Sequence, residues 1–301
     1  MALMLFFTTS LMAQVTTSSI NGKVVAGGET VIGATVTAVH VPSGTTYNAV
    51  TNTDGRYTIQ GMRVGGPYKV TISYIGFKDD NRTNIFLALG EPTVINADMK
   101  EDAKTLTEVT VTGRAGHGGN GAASNFSKQM IENAPTVDRN VYDVAKLSPL
   151  VNNNKFGGIS IAGTNNRYNS FQIDGMVSND VFGLTSSGTN GGQTGANPIS
   201  MDAIEQIQVA VSPFDVRQSG FTGGAINAIT KSGTNKFTGT AFTYYTDENL
   251  YGRYSQVYKK TQKLSDESTK TYGFTFGGPI IKDKLFFFTS LEYKKNSYPS
   301  T

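Results

Sequence analysis

The chain of 301 residues lacks cysteine and tryptophan and has only two histidines, His40 and His117. The absence of cysteine excludes a disulfide framework, a thiolate metal site and a cysteine nucleophile. Two scattered histidines leave little room for imidazole catalysis or for a histidine-rich metal centre. We therefore predict that the chain has no catalytic residue, no metal site and no cofactor, and that it is not an enzyme.

Charge is also scarce, because charged residues make up 16% of the sequence against about 25% of an average soluble domain. The formal net charge is +3, from 26 Lys and Arg against 23 Asp and Glu. A charge this small gives no reason to expect a nucleic-acid partner. Glycine, by contrast, is abundant at 34 residues. This composition favours a β protein with many turns.

Long apolar runs are missing as well. No stretch approaches the roughly 20 apolar residues of a membrane-spanning helix. A shorter apolar run near the N-terminus has the length of a secretory signal core, with cleavage plausible after Ala13, although no Lys or Arg precedes it. We predict a signal peptide over residues 1–13; the alternative is an ordinary apolar N-terminus. Any contact with a membrane would then be made by strands.

Residues 19–100 read as about seven short strands separated by turns. In the clearest alternation, Ala34, Val36, Ala38 and His40 share one face of a strand. His40 is interpreted as a packed or surface residue rather than a ligand. Gly55 is expected to allow a positive φ in a tight turn, and Gly33 to allow close entry of a strand. Short strands at this spacing predict an antiparallel β-sandwich.

Four short motifs in this region carry a family resemblance. They read GKV, GATV, TDGRY and YIGF, at residues 22–24, 33–36, 53–57 and 74–77. In this order they resemble the carboxypeptidase-regulatory-like domain. The resemblance implies a prealbumin-like sandwich of the carbohydrate-binding-like type that acts as a binding or docking module. A plain structural spacer is an equally good alternative.

Residues 101–124 form a glycine-rich linker without a core of its own. Inside it lies a segment that is extended by propensity and has polar flanks, so that a partner could pair with its backbone by strand addition. The segment is similar to the TonB box of outer-membrane transporters. This similarity implies that TonB, with its inner-membrane energising complex, contacts Leu106, Thr107, Glu108, Val109, Thr110 and Val111. The alternative is that the segment is the last strand of the sandwich.

Residues 125–233 contain four further motifs, ISIAG, NSFQIDGM, IEQIQV and GGAINAITKSG, which begin at residues 159, 169, 204 and 223. In this order they resemble the plug domain of TonB-dependent receptors. Family plugs often carry Arg where this chain has Ala162. An acid–base interpretation of Asp174, Asp202 and Glu205 is weak because nothing fixes their separation, and we assign them to turns, caps and the surface.

A loop rich in Gly, Ser, Thr and Asn covers residues 179–198 of this region. Loops on a rigid scaffold often carry ligand contacts. The plug resemblance implies that this loop faces an incoming extracellular ligand. The candidate contact residues are Asn179, Asp180, Phe182, Asn190, Gln193 and Asn197. A simple connection without a binding role is an equal alternative.

Residues 236–301 alternate like strands of a transmembrane barrel. Tyr272, Phe274 and Phe276 share one face, with small or polar residues opposite, as in strands that face lipid. A polar stretch over 247–270 suits an extracellular loop, and residues 278–284 suit a short periplasmic turn. The sequence GGPIIKDKLFFF at residues 277–288 resembles the Oar-like (OmpA-related) branch of TonB-dependent receptors.

These observations predict a mainly β chain with an α+β plug. A prealbumin-like sandwich is followed by a linker, a plug domain and the first strands of an incomplete transmembrane barrel. About three strands cannot close in lipid, so we expect the N-terminal part of a longer outer-membrane receptor. Its sandwich and linker would lie in the periplasm, its strands would contact outer-membrane lipid, and its ligand is unidentified. The alternative is a secreted or surface-located carbohydrate- or protein-binding β protein without transport activity.

Overall fold

The computed structural model describes residues 16–101, 111–112, 122–136, 139–153, 158–180, 182–183, 185, 187–192, 196–211, 222–250, 254–255, 260–261 and 266–297. Compact packing divides the chain into two units, Met1–Thr230 and Lys231–Thr301. None of the helices in the described ranges has both the length and the apolar character needed to cross a membrane.

Two five-stranded sheets form the N-terminal sandwich. The strands in chain order are β1 (Thr17–Ala26), β2 (Glu29–Thr30), β3 (Thr35–His40), β4 (Thr45–Val50), β5 (Arg56–Arg63), β6 (Gly65–Ser73), β7 (Asp80–Leu87), β8 (Pro92–Val94), β9 (Ala97–Asp98) and β10 (Val111–Thr112). In the first sheet β1 lies between β2 and β5 and also pairs with β8 and β9. The second sheet has the order β10-β7-β6-β3-β4.

The sequence predicts an antiparallel sandwich, but this prediction is wrong for three of the strand pairs. Strands β8 and β9 run parallel to β1, and β10 runs parallel to β7. The predicted alternation in β3 is confirmed, because Val36, Ala38 and His40 point into the core between the sheets. Burial of the apolar side chains on the inner faces is the main force that holds the two sheets together.

Two glycines of the sandwich are required for different reasons. Gly55 has a φ of +68°, and a Cβ there would lie 2.6 Å from the carbonyl oxygen of Val24. Gly33 has a φ of +82° but open space around it. The expected close approach at Gly33 is therefore wrong, and the backbone conformation alone accounts for that glycine.

The next elements form an α+β layer. They are β11 (Ala122–Ser127), α1 (Lys128–Glu132), α2 (Val141–Ala145), β12 (Val151–Asn153), β13 (Ile159–Ile161), β14 (Ser170–Ile173), β15 (Met176–Val177), β16 (Ile204–Val211) and β17 (Gly224–Thr230). A five-stranded sheet has the order β11-β16-β17-β14-β15, and β12 pairs separately with β13. The Asn140 side chain caps α2 by accepting a hydrogen bond from the Tyr142 N–H.

The second unit contains a three-stranded antiparallel sheet in the order β18-β21-β22. Its strands are β18 (Thr238–Asp247), β19 (Tyr254–Ser255), β20 (Lys260–Thr261), β21 (Ser268–Ile281) and β22 (Leu285–Ser297), of which β19 and β20 form a separate pair. The turn between β21 and β22 covers only residues 282–284, so the predicted connection over 278–284 is too long. Pairing with β22 extends β21 through Ile281.

Candidate functional site in the plug layer

The two faces of the five-stranded sheet differ sharply in chemistry. Ile207 and Val209 of β16 are fully buried in an apolar core that also includes Phe126 and Ile226. Successive strand residues point to opposite faces. The other face of β16 therefore carries Gln206 and Gln208, yet both are also buried.

A row of amide side chains crosses this second face. The strand register places Asn125 beside Gln208, Gln208 beside Asn227, and Asn227 beside Gln172. Buried amides need hydrogen-bond partners. Gln208 Nε2 donates to the Leu89 carbonyl oxygen at 2.6 Å, and Gln172 Nε2 donates to Ser170 Oγ at 3.1 Å. The sequence analysis missed this row, although Gln at alternate positions 206 and 208 is a visible signal.

The glycine pair that opens β17 is explained by close packing. Asn169 Oδ1 accepts hydrogen bonds from Thr164 Oγ1 at 2.9 Å and from the Gly224 N–H at 3.1 Å. A Cβ on Gly223 would collide with Asn169 Oδ1, and one on Gly224 would collide with the Ile161 side chain. The two glycines of the motif GGAINAIT thus allow the start of β17 to pack closely against Ile161 of β13 and against Asn169.

The carboxylates considered as acid–base groups have structural contacts. Asp174 accepts hydrogen bonds from Thr230 N–H at 2.9 Å and from Thr230 Oγ1 at 2.7 Å. Asp202 forms an ion pair with Arg139 at 2.6 Å. Among the described residues, no cluster of three or more His, Cys, Asp or Glu could hold a metal ion.

Glu205 occupies a β-bulge. The register of β16 against β17 shifts between Ile204 and Gln206, which leaves Glu205 as the extra residue. Its carboxylate lies beside Gly65 of the sandwich, since a Cβ at Gly65 would be 3.2 Å from Glu205 Oε1. The bulge therefore directs Glu205 to the contact between sandwich and plug layer.

Some residues of the candidate ligand loop are held by hydrogen bonds to backbone groups, and others are exposed. Asn179 Oδ1 accepts from the Phe171 N–H at 2.7 Å, and the Asp180 carboxylate accepts from the Thr185 N–H at 2.8 Å. Asn197 Nδ2 donates to the Arg139 carbonyl oxygen at 3.2 Å. Two candidates, Phe182 and Asn190, are exposed, with Phe182 at 84%. Gln193 lies outside the described residues.

Most of the TonB-box-like segment, Leu106, Thr107, Glu108, Val109 and Thr110, also lies outside the described residues. Its last residue, Val111, pairs with Arg82 of β7, and Thr112 pairs with Thr83. On the other side of the segment, Glu101 forms an isolated bridge with Phe77. The residues that flank the segment on both sides are thus attached to the sandwich.

Family models match three successive stretches of the chain. The carboxypeptidase regulatory-like domain matches residues 19–100, the TonB-dependent receptor plug domain matches residues 118–226, and the outer membrane beta barrel domain matches residues 229–301. This succession of domains is the one found in TonB-dependent outer-membrane receptors.

Among curated proteins, the chain is 26% identical over 267 residues to the TonB-dependent transporter Oar of Myxococcus xanthus. The match covers 84% of this chain. The chain is therefore similar to the Oar-like branch of TonB-dependent receptors. It spans about a quarter of the length of that relative, since the match covers 24% of Oar.

Solved structures of outer-membrane receptors are also similar. The siderophore receptor PirA from Acinetobacter baumannii is 26% identical, with 58% of this chain and 24% of that chain covered and a TM-score of 0.44. PirA from Pseudomonas aeruginosa is 21% identical, with 58% and 29% covered and a TM-score of 0.41.

The domain matches also bear on the location of the chain. A plug domain followed by outer-membrane barrel strands places the chain in the cell outer membrane, and the N-terminal domain is periplasmic in this family. The plug-domain family model and the curated relative describe a receptor and a transporter, which are not enzymes.

Proposed function

We propose that this chain forms the sandwich, linker, plug and first barrel strands of a transporter that binds or takes up an unidentified extracellular ligand. TonB and its inner-membrane complex would supply the energy. The observation that carries the proposal is the direct succession of a TonB-box-like segment and β11, an edge strand of the plug sheet. Only residues 112–121 separate the segment from β11 along the chain, so a pull on the segment would be passed on to the plug sheet once the contacts with the sandwich have opened.

The proposed contact with TonB uses backbone pairing. Residues 106–111 would add as a strand to TonB, with the backbone supplying affinity and alternate side chains supplying specificity. As the resemblance to TonB-dependent receptors implies, the energy would come from the inner-membrane proton gradient and not from chemistry in this chain.

The proposed ligand contacts divide into two groups. Phe182 and Asn190 are exposed and would touch the ligand directly. Asn179, Asp180 and Asn197 would shape the loop, because their polar atoms already bond to neighbouring backbone groups. Gln193 stays a candidate contact on sequence grounds. The two groups predict different defects, loss of ligand affinity for the first and loss of loop order for the second.

The segment is tested by Val109→Pro, with Val109→Thr as the matched control. Proline removes one backbone donor and fixes φ, whereas threonine keeps the N–H and the β-branched shape. We expect V109P to lose co-purification with the periplasmic domain of TonB by at least tenfold, and V109T to retain it. Equal binding by V109P and the parent chain would overturn the assignment of the box.

A further inference from the structure

The sandwich is docked on the polar face of the plug sheet. We call this contact the junction and define it by Val64, Leu89, Glu91, Asn125, Gln208 and Ile229. Gln208 Nε2 donates to the Leu89 carbonyl oxygen at 2.6 Å. Asn125 Nδ2 donates to Glu91 Oε1 at 2.9 Å. Val64 and Leu89 of the sandwich pack against Ile229 of β17.

The junction is weaker than the two cores that it connects. Its apolar cluster contains three residues, whereas the clusters in the sandwich and the plug layer contain 17 and 16 buried residues within the described ranges. Apolar stabilisation scales with the area buried. Separation of the sandwich from the plug layer therefore costs far less than unfolding of either part.

A cavity and two polar atoms without hydrogen-bond partners also limit the attraction across the junction. A cavity of about 580 Å³ lies between the two parts, lined by Phe86 from the sandwich and by Met130 and Gln206 from the plug layer. Within the described residues, Gln206 Oε1 and Asn125 Oδ1 are buried without a hydrogen-bond partner. Neither atom therefore contributes a protein–protein hydrogen bond that would hold the junction closed.

The arrangement of the linker brings tension to the sandwich first. Glu101, which precedes the TonB-box-like segment, pairs with the sandwich, and so do the last residue of the segment, Val111, and the next residue, Thr112. Residues 102–105 span at most about 14 Å when extended, whereas residues 113–121, which lead to β11, span about 30 Å. A pull on the segment thus acts first on residues that pair with the sandwich, and the path along the chain to β11 is the longer of the two.

We infer that the junction is a latch, which opens under tension on the linker before β11 leaves the plug sheet. This inference rests on the proposed role of the segment, because TonB would apply the tension. Opening would uncover the buried amides of β16 and free the sandwich, and only then would the pull reach the plug. The sandwich would accordingly set the force at which the plug begins to move.

Single-molecule pulling of the 301-residue chain in detergent micelles tests the latch. One handle is attached to an azide-bearing residue in place of Thr107 and the other to the C-terminus. We expect a first low-force rupture whose rate rises about tenfold in Val64→Ala, from loss of two buried methyl groups in the junction. The matched control is Val70→Ala, which makes the same deletion in the sandwich core and should leave the first rupture unchanged.

A second version of the pulling experiment uses a reversible cross-link across the junction. The chain has no cysteine, so Glu91→Cys with Asn125→Cys can be joined by a short, reducible thiol cross-linker. The first rupture should disappear when the link is present and return when it is reduced. A first rupture unchanged by V64A and by the cross-link would show that β11 leaves first and would overturn the latch. Because the handle replaces TonB, this result is independent of the V109P result.

Discussion

Strands β3 and β21 have the same sequence periodicity but opposite surroundings. In β3 the alternating Val36 and Ala38 are fully buried between two sheets. In β21 the alternating Tyr272, Phe274 and Phe276 are 43–52% exposed, while Thr271 and Thr275 on the other face are buried. One strand hides its apolar face inside the protein, and the other presents it outward, where an outer-membrane receptor meets lipid.

The difference shows that alternation identifies a strand but does not tell whether its apolar face packs against protein or faces lipid. The neighbouring elements determine which of the two occurs. The strands of the sandwich are flanked by tight turns and pack against a second sheet, whereas β21 and β22 are long and have partners only beside them within the described residues. The comparison predicts that an Asp substitution on the apolar face of β3 destabilises the protein core, whereas one on the apolar face of β21 is unfavourable in lipid.

The largest expected effect is that of Val36→Asp, which places a carboxylate in the apolar core of the sandwich. The buried charge has no partner there, and we expect a loss of at least about 4 kcal/mol in the free energy of unfolding. The control is Thr35→Asp on the exposed face of the same strand. Urea unfolding, monitored by the susceptibility of the sandwich to proteolysis, measures the free energy of unfolding of both variants. Equal stability of the two variants would contradict the assignment of the inner face.

A smaller effect comes from His40, the titratable residue on the same inner face of β3. Burial, and secondarily the positive charge of Arg63, lower its pKa from 6.5 to about 4. The unfolded chain therefore binds more protons between these values. The free energy of unfolding should be at its full value above about pH 6.5 and should fall by about 3 kcal/mol as the pH drops to 4.

Urea titrations between pH 4 and 7 test this dependence. His40→Gln should flatten the curve in that window, while His117→Gln, at the other histidine of the chain, should leave it in place. A slope that survives in H40Q would assign the dependence to other groups.

The smallest effect of the comparison is that of Phe274→Asp on the outward face of β21. In lipid vesicles the carboxylate would face hydrocarbon, and we expect a cost of about 2 kcal/mol to the folded barrel. In water the same change should cost almost nothing, because Phe274 is 44% exposed. Heat-dependent mobility of the intact receptor on gels measures the folded fraction, with Phe274→Leu as the control. The account fails if F274D is tolerated equally in vesicles and in water.

Local patterns predicted the elements better than their contacts. The alternation in β3, β21 and β22, and the order of the plug motifs, follow from residues close together in the sequence. The parallel pairing of β8 and β9 with β1 joins residues more than 70 positions apart, and no periodicity encodes it. The same holds for the hydrogen bond from Gln208 to Leu89, so the docking of the sandwich could not be predicted.

The candidate ligand loop illustrates the same limit within one segment. Its composition predicts a loop on a rigid scaffold and six polar or aromatic contact residues, but composition does not specify which of the six bond to neighbouring strands. The structure shows that Asn179 and Asp180 bond to backbone N–H groups, while Phe182 is exposed. Hydrogen bonds between a loop side chain and a neighbouring strand depend on tertiary geometry, which composition does not contain.

The central claim is that the chain is part of a TonB-dependent receptor of the outer membrane. The most direct measurement is fractionation of the native cells, with an antibody against the sandwich and the mass of the detected product. We expect a product in the outer-membrane fraction that is several times heavier than the 32.2 kDa of this chain. A soluble product near that mass would contradict the claim and favour a secreted or surface binding protein.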